Sequence, residues 1–414
     1  MGSYVTHLEA AIDGTRLDHR TPQTLHADRP LWVRYDLEAI AREADRAALR
    51  GRDTTMWRYR ELLPVEEDAN IVSLGEGMSP LLHAPRLGRE LGLENLWIKD
   101  ESQMPTGSFK SRGLAMAVSR AKELGVERLA IPTAGNAGGA LAAYAARAGL
   151  EAYVFLPSDT PAVNVGEAQL FGAKVFYVDG LITDCAAIVG AGKETMGWFD
   201  LSTLKEPYRI EGKKTMGLEL AEQLDWSLPD SIFYPTGGGT GLIGMWKAFA
   251  ELEAIGWLDD PKRPRMYACQ SSGCDPIVRA FDADERFADP VEGASTQASG
   301  IRVPKAVGDF MILDAVRASG GAACRSSEEE LLAWMDKACE LEGISLCPET
   351  GACLASLAQL RSEGRVAADE RVVVFNTGAV QKYMELLPAP PPKIDDPGQV
   401  DWDLVRTGGS NARR

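Results

Sequence analysis

Three times in this chain a short apolar run ends in a turn rich in glycine and small polar residues, and a helical pattern begins at once. Leu96-Trp97-Ile98 precedes Pro105-Thr106-Gly107-Ser108, Leu129–Pro132 precedes Ala134-Gly135-Asn136-Ala137-Gly138, and Ser231–Pro235 precedes Gly237-Gly238-Gly239-Thr240-Gly241. A strand that turns straight into a helix cannot pair as a hairpin with the strand after it; it needs a crossover, and repeated crossovers build a parallel sheet. The same rhythm fills the rest of the chain. Helices are expected over about 108–124 and 136–149, then one ending at Gly172, one over about 212–224 and one running toward Ile255. Strands are expected at Leu96–Lys99, Leu129–Pro132, Ala152–Leu156, Val175–Val178, Ser231–Pro235, Met266–Gln270 and Val372–Asn376. The fold class is therefore α/β, with helices flanking twisted, mainly parallel sheets.

At 414 residues the chain suits two domains sharing an interface rather than one small core. A formal charge of −16 argues against a nucleic-acid or anionic-membrane partner, since either needs a basic face. Seven cysteines without a C-x-x-C pair, in a sequence with no apolar leader, point to reduced thiols in a cytoplasm. The first thirty residues are polar, and His7, His19 and His26 read as a solvated loop. A structural zinc needs four His or Cys ligands, so no metal site is expected there. Leu37 to Arg60 reads as a charged, Ala-rich helix, and the Pro-rich tail after Leu387, ending in GGSNARR, as an extended strap.

Lys110 stands in the first turn of a helix, the end where the aligned peptide dipoles disfavour a cation. A lysine placed so favours its neutral amine, which is the nucleophilic form; the alternative is a solvated surface lysine. Gly237–Gly241 leaves backbone N–H groups unshielded at a helix start, a cradle for a phosphate that needs no side-chain cation; the alternative is a turn that binds nothing. Asn136 reads either as an N-cap or as a ligand contact, and Thr377, just past a strand end, either as a turn residue or as a group facing a ligand. Arg209 and Lys205 flank Pro207 and read as a phosphate clamp, or as surface cations paired with Glu206 and Glu211.

Taken together, Ser108-Phe109-Lys110 and the two further glycine-rich turns resemble the pyridoxal-phosphate enzymes of the tryptophan-synthase-β fold type, and among them the threonine synthases, from about Ser73 to Tyr383. The resemblance implies a small domain over about 111–205, inserted into a large one formed by 61–110 and 206–390, with residues 1–60 an N-terminal segment and 391–414 a tail. It implies pyridoxal 5'-phosphate held by Lys110 as a Schiff base and by Phe109, Asn136, Gly237, Gly238, Gly239, Thr240, Gly241 and Thr377. It also implies an amino-acid substrate contacted by Thr106, Ser108, Thr133, Gly135, Ala137, Lys205 and Arg209. The activity it implies is conversion of O-phospho-L-homoserine and water to L-threonine and phosphate, in a cytoplasmic homodimer. The chain departs from the pattern in three places: the cysteine-rich ribbon of several bacterial relatives is absent, Lys205 stands where an asparagine is usual, and Ser111 replaces a common aspartate. Glu349, in Cys347-Pro348-Glu349-Thr350-Gly351, matches an acidic turn near the site with no assigned role. These departures keep open a serine/threonine dehydratase, a β-replacement enzyme such as a cysteate synthase, and a silent relative that binds the cofactor without turnover.

Overall fold

The computed structural model describes residues 3–388, 390–395 and 398–407. In chain order, β1 (Val5–Ala10), β2 (Arg16–Leu17) and β3 (Leu31–Tyr35) lead to α1 (Leu37–Glu43), then β4 (Leu81–His83), α2 (Pro85–Leu91), β5 (Asn95–Asp100) and α3 (Lys110–Glu123). Next come β6 (Arg128–Pro132), α4 (Ala137–Ala148), β7 (Glu151–Pro157), α5 (Ala162–Leu170), β8 (Lys174–Val178), α6 (Ile182–Met196) and β9 (Phe199–Asp200). The second half runs α7 (Tyr208–Gln223), β10 (Ser231–Pro235), α8 (Thr240–Ala254), β11 (Arg265–Ser271), α9 (Pro276–Asp282), α10 (Asp309–Ala318) and β12 (Ala322–Ser326). It closes with α11 (Glu328–Glu342), α12 (Pro348–Ser362), β13 (Arg371–Asn376) and α13 (Trp402–Thr407).

The six-stranded sheet has the order β12-β11-β10-β13-β5-β4 and is parallel except for β4, and the four-stranded sheet β8-β7-β6-β9 is parallel throughout. Burial explains the strand sequences. Every residue of β10, Ser-Ile-Phe-Tyr-Pro, is buried, because helices cover both faces and leave no solvent side for alternation. Register then fixes where the site lies. Phe233 stands beside Val374 and Val374 beside Ile98, so the turns after β10, β13 and β5 leave the sheet at the same edge. In α/β sheets the crevice beyond the carboxyl ends of the strands is where ligands bind.

Two expectations for the N-terminal part need correction. Residues 5–35 are not a loop but a three-stranded antiparallel sheet, β2-β1-β3, whose Leu8, Leu31 and Val33 enter the core. Its connection buries His19, whose carbonyl accepts a 2.7 Å hydrogen bond from Arg120, so this histidine is a packing residue and not a solvated one. The helix expected from Leu37 to Arg60 stops at Glu43 and is followed by 3-10 turns at Arg46–Gly51 and Met56–Leu62. Asp45 and Thr55 accept hydrogen bonds from Ala47 and Trp57 N–H, restarting the chain locally where uninterrupted helix was expected. Toward the other terminus, α13 interrupts the expected extended strap, and GGSNARR lies outside the described residues. Among the described residues no helix is long and apolar enough to cross a membrane.

Two residues after Lys110, on the opposite side of the same turn of α3, Arg112 is fully buried. It donates to Glu101 Oε2 at 2.6 Å and to both oxygens of Glu219, which also takes Lys99 Nζ at 3.0 Å. Burial would raise the Glu219 carboxyl, but Arg112 and Lys99 together hold it below its usual range. This network pins β5, α3 and α7 to one another. Arg112→Met should therefore lower stability by about 3–5 kcal/mol, because Glu101 would be left without an ionic partner and Glu219 with Lys99 alone, both in the core. Urea unfolding of the two proteins measures it, and a loss within about 1 kcal/mol would show that the network contributes nothing beyond packing.

Candidate active site

Lys110 opens α3 without a side-chain cap, and the backbone around it is clamped from the loop after β13. Phe109 N–H donates to the Thr377 carbonyl at 3.1 Å and Ala379 N–H to the Gly107 carbonyl at 3.1 Å. The Lys110 ammonium position lies 4.2 Å from the Phe109 ring centroid, in a cavity that the lysine shares with the glycine-rich turn. Burial, reinforced by Arg209, pushes the Lys110 amine down to about 7, against opposing pulls from Glu349 and Cys347. The amine is thus available uncharged near neutrality. A second buried amine, Lys213, lies 4.1 Å from the same ring centroid and donates to the Phe109 carbonyl. Burial and the neighbouring Lys110 hold it well below the ordinary lysine value.

Across the cavity, Gly237, Gly238, Gly239, Thr240 and Gly241 form the start of α8. Gly239 is its N-cap at φ +73°, a left-handed conformation that a Cβ resists, and a Cβ there would strike Ile312. A Cβ on Gly238 would lie 2.7 Å from Thr203 Cγ2, so the turn can approach its surroundings only as bare backbone. Exposed N–H groups at a helix N-terminus suit a phosphate dianion. Asn136 begins α4 but makes no capping bond with its side chain, and its amide oxygen is buried without a partner. That geometry favours the ligand reading over the N-cap reading, since an orphaned buried acceptor is costly unless something donates to it. Thr133, Gly135 and Ala137 line the same wall, with Thr133 Oγ1 accepting from Gly135 N–H at 3.1 Å. Thr377 lines the opposite side, 3.6 Å from Cys347 Sγ, a thiol that burial pushes up to about 12. An amine, a phosphate cradle, an unpartnered amide and a hydroxyl around one cavity fit a phosphorylated pyridine aldehyde.

Arg209 also lines this cavity. Helix α7 begins earlier than the sequence suggests, because the Glu206 carboxylate accepts from Tyr208 N–H at 2.7 Å and Arg209 N–H at 3.1 Å, placing Arg209 in the first turn. The guanidinium is 1% exposed, donates through Nη1 to the Leu201 carbonyl at 2.8 Å, and leaves Nε without a partner. Among the described residues no carboxylate lies within ion-pair distance of it. Burial raises Glu206, three positions before it, to about 7 despite Arg209, so that acid is a poor counter-ion at neutral pH. Glu211 instead bonds Lys214 and Lys247. Neither cation is a surface partner of Glu206 or Glu211: Arg209 is buried on the cavity wall, and Lys205, which does not line the cavity, lies 3.7 Å from the buried Asp200.

Two other expected contacts fall outside the wall. Thr106, at φ 60°, turns its hydroxyl to within 3.0 Å of Ser111 Oγ, and Ser108 is buried beneath the turn, opposite Gly378. Several lining residues escaped the sequence reading: Thr203, Tyr234, the 299–303 loop and Tyr383. Glu349 joins them as a buried acid, with Oε1 accepting from Tyr383 Oη at 2.6 Å and Gly300 N–H at 2.7 Å. Only Thr203 carried a usable signal, its place four positions before the proline that precedes Arg209. The 299–303 loop has no repeat or glycine cluster to mark it.

The depressed Lys110 value has a direct test in the cofactor-free protein. The nucleophilic form is present above about 7 and is lost as pH falls below it, whereas an exposed lysine needs a pH near about 10.4. Acylation at the Lys110 peptide, followed by mass spectrometry against pH, should show a midpoint near 7 that moves upward in Arg209→Gln. A midpoint above about 9 would contradict the desolvated site.

A family model described as pyridoxal-phosphate dependent enzyme matches residues 72–378. The threonine synthase of Methanocaldococcus jannaschii is 37% identical over 349 residues, covering 84% of this chain and 85% of that protein. The threonine synthase of Methanosarcina acetivorans is 36% identical over 356 residues, 86% of each chain. Among solved structures, maize serine racemase shares the fold, with a TM-score of 0.63 at 21% identity over 73% of this chain and 88% of its own. The matched span contains Lys110, the glycine turn, Asn136 and Thr377, and of the cavity wall only Tyr383 lies beyond it. The chain is a pyridoxal-phosphate-dependent enzyme and belongs to the threonine synthase family.

Proposed function

We propose that this enzyme converts O-phospho-L-homoserine and water to L-threonine and phosphate. The observation that carries the substrate assignment is Arg209, a buried guanidinium on the cavity wall with an unpartnered Nε and, among the described residues, no carboxylate within ion-pair distance. A buried cation without a protein counter-ion is suited to an anionic ligand, and a phosphate matches the fork of an arginine.

Bound pyridoxal phosphate supplies a carbonyl that takes up the amino acid's nitrogen and a conjugated ring that spreads the charge left when protons depart from carbon. The rest falls to residues of this chain. The Gly237–Gly241 amides would hold the cofactor's phosphate, Asn136 its ring hydroxyl and Thr377 its ring nitrogen. The backbone from Thr133 to Ala137, at the start of α4, would take the substrate α-carboxylate. Lys110, with its amine near 7, is matched to removing the Cα proton and to moving protons at Cβ and Cγ. Arg209 would hold the γ-phosphate and stabilise its charge as the Cγ–O bond breaks, and water would add at Cβ. The cavity would lie between a large unit, 61–110 with 206–390, and a small one, 111–205. We take the active form to be a cytoplasmic homodimer, as in the resemblance.

The pairing of Lys205 with Asp200, away from the cavity, favours the rival reading of an unphosphorylated substrate, handled by a dehydratase or a β-replacement enzyme. Turnover separates the two. Phosphohomoserine should yield phosphate and threonine in equal amounts, and Arg209→Gln should lower kcat/KM by roughly 10- to 100-fold, the loss of a charge-assisted hydrogen bond. Release of 2-oxobutyrate from threonine, with no phosphate from phosphohomoserine, would overturn the proposal.

A further inference from the structure

Arg209 is not the sole guanidinium on the cavity wall. Arg302 lines it as well, on the loop 299–303 between α9 and α10. The loop's backbone is fixed. Gly300 N–H donates to Glu349 Oε1 at 2.7 Å, Ile301 N–H to the Ala298 carbonyl at 3.0 Å, and Arg302 N–H to the Ser299 carbonyl at 3.2 Å. Its side chain is held far more loosely. The one ionic partner of Arg302 among the described residues is Asp159, 3.5 Å from Nη2, with the two side chains 28% and 65% exposed. A single long contact to a solvated carboxylate contributes little and is readily exchanged. Asp159 belongs to the loop between β7 and α5, so the pair joins the four-stranded sheet to a loop packed beside the glycine turn. A Cβ on Gly237 would sit 2.9 Å from Val303 Cγ2, the residue after Arg302.

These features are those of a cation held in reserve. Its backbone is rigid and its counter-ion is weak. It shares a cavity with an arginine that forms no direct ion pair among the described residues, while Lys205, the expected second cation, is engaged elsewhere. We propose that Arg302 is the second arginine of the substrate-phosphate subsite and that Asp159 restrains it until substrate arrives, the guanidinium then exchanging the exposed carboxylate for the phosphate oxygens. A dianion offers two charges and three acceptor oxygens, so it outcompetes one solvated carboxylate for the guanidinium fork. The inference rests on the phosphorylated-substrate reading and assigns a specificity residue within it.

The test uses the holoenzyme with three probes: phosphohomoserine, inorganic phosphate, and L-2-aminobutyrate, which keeps the amino and carboxylate groups and lacks the phosphate. Arg302→Gln should raise the KM for phosphohomoserine and the inhibition constant of phosphate about tenfold. It should leave L-2-aminobutyrate inhibition and cofactor absorbance per chain near wild type. Asp159→Asn frees the arginine and should tighten phosphate inhibition by about two- to threefold. The assignment is overturned if Arg302→Gln leaves phosphate inhibition unchanged, or weakens L-2-aminobutyrate equally, which would make Arg302 a carboxylate reader. It is overturned too if Arg302→Gln loses cofactor, or if Asp159→Asn weakens phosphate as Arg302→Gln does. A wild-type enzyme that releases no phosphate from phosphohomoserine defeats the substrate reading itself. Turnover by the wild type with an Arg302→Gln protein of unaltered KM and phosphate inhibition defeats the Arg302 assignment alone.

Discussion

The desolvation of one amine is the constraint on which the site depends. Lys110 stands at a helix N-terminus, close to a buried arginine, with protein around its amine in place of water. Each of these disfavours the ammonium form, and their sum leaves a nucleophile and base tuned to neutral pH. Such a placement destabilises the fold locally, and the surroundings offset it. The Phe109 and Ala379 amides tie the lysine's turn to the loop after β13, and the Arg112–Glu101–Glu219–Lys99 network fixes the helix from behind. The charges that hold α3 in place are paired, whereas Lys110 and Arg209, which face the cavity, form no ion pair among the described residues.

Sheet register explains how residues so far apart in sequence meet. β13, near the end of the chain, lies between β10 and β5, so Thr377, the glycine turn and Lys110 leave adjacent strands at one edge. Asn136 and the Thr133 wall come from the second sheet, at the carboxyl end of β6. The cavity is thus bounded by strand ends from two sheets, with helix N-termini supplying donors on opposite sides. That division suits a cofactor with a phosphate at one end and a substrate carrying a carboxylate, because each anion meets a separate set of backbone amides.

Local chemistry decided how much could be read beforehand. The βα units were legible because each carries its own signal, an apolar run, a glycine turn and a helical period, and Ser231–Pro235 falls where it was expected. Lys110, Asn136, Thr377 and the glycine turn were legible because their oddity is local. What failed depends on distant partners. His19 lies in the polar connection between β2 and β3, and its burial depends on Arg120, about a hundred residues away in sequence. Lys205 and Arg209 stand four positions apart around Pro207 with similar charge. Only the three-dimensional course of the chain sends one to Asp200 and the other into the cavity. Arg302 has no motif at all, and its place follows from the packing of its loop against Gly237.

The account stands on which of two adjacent buried amines takes the cofactor. Pyridoxal phosphate added to the protein, followed by borohydride reduction, proteolysis and mass spectrometry, places the attached pyridoxyl group on a particular lysine. The desolvated site predicts a single modified peptide carrying Lys110, absent from the Lys110→Ala protein. Attachment at Lys213, or scattered labelling of exposed lysines with Lys110 unmodified, would contradict it.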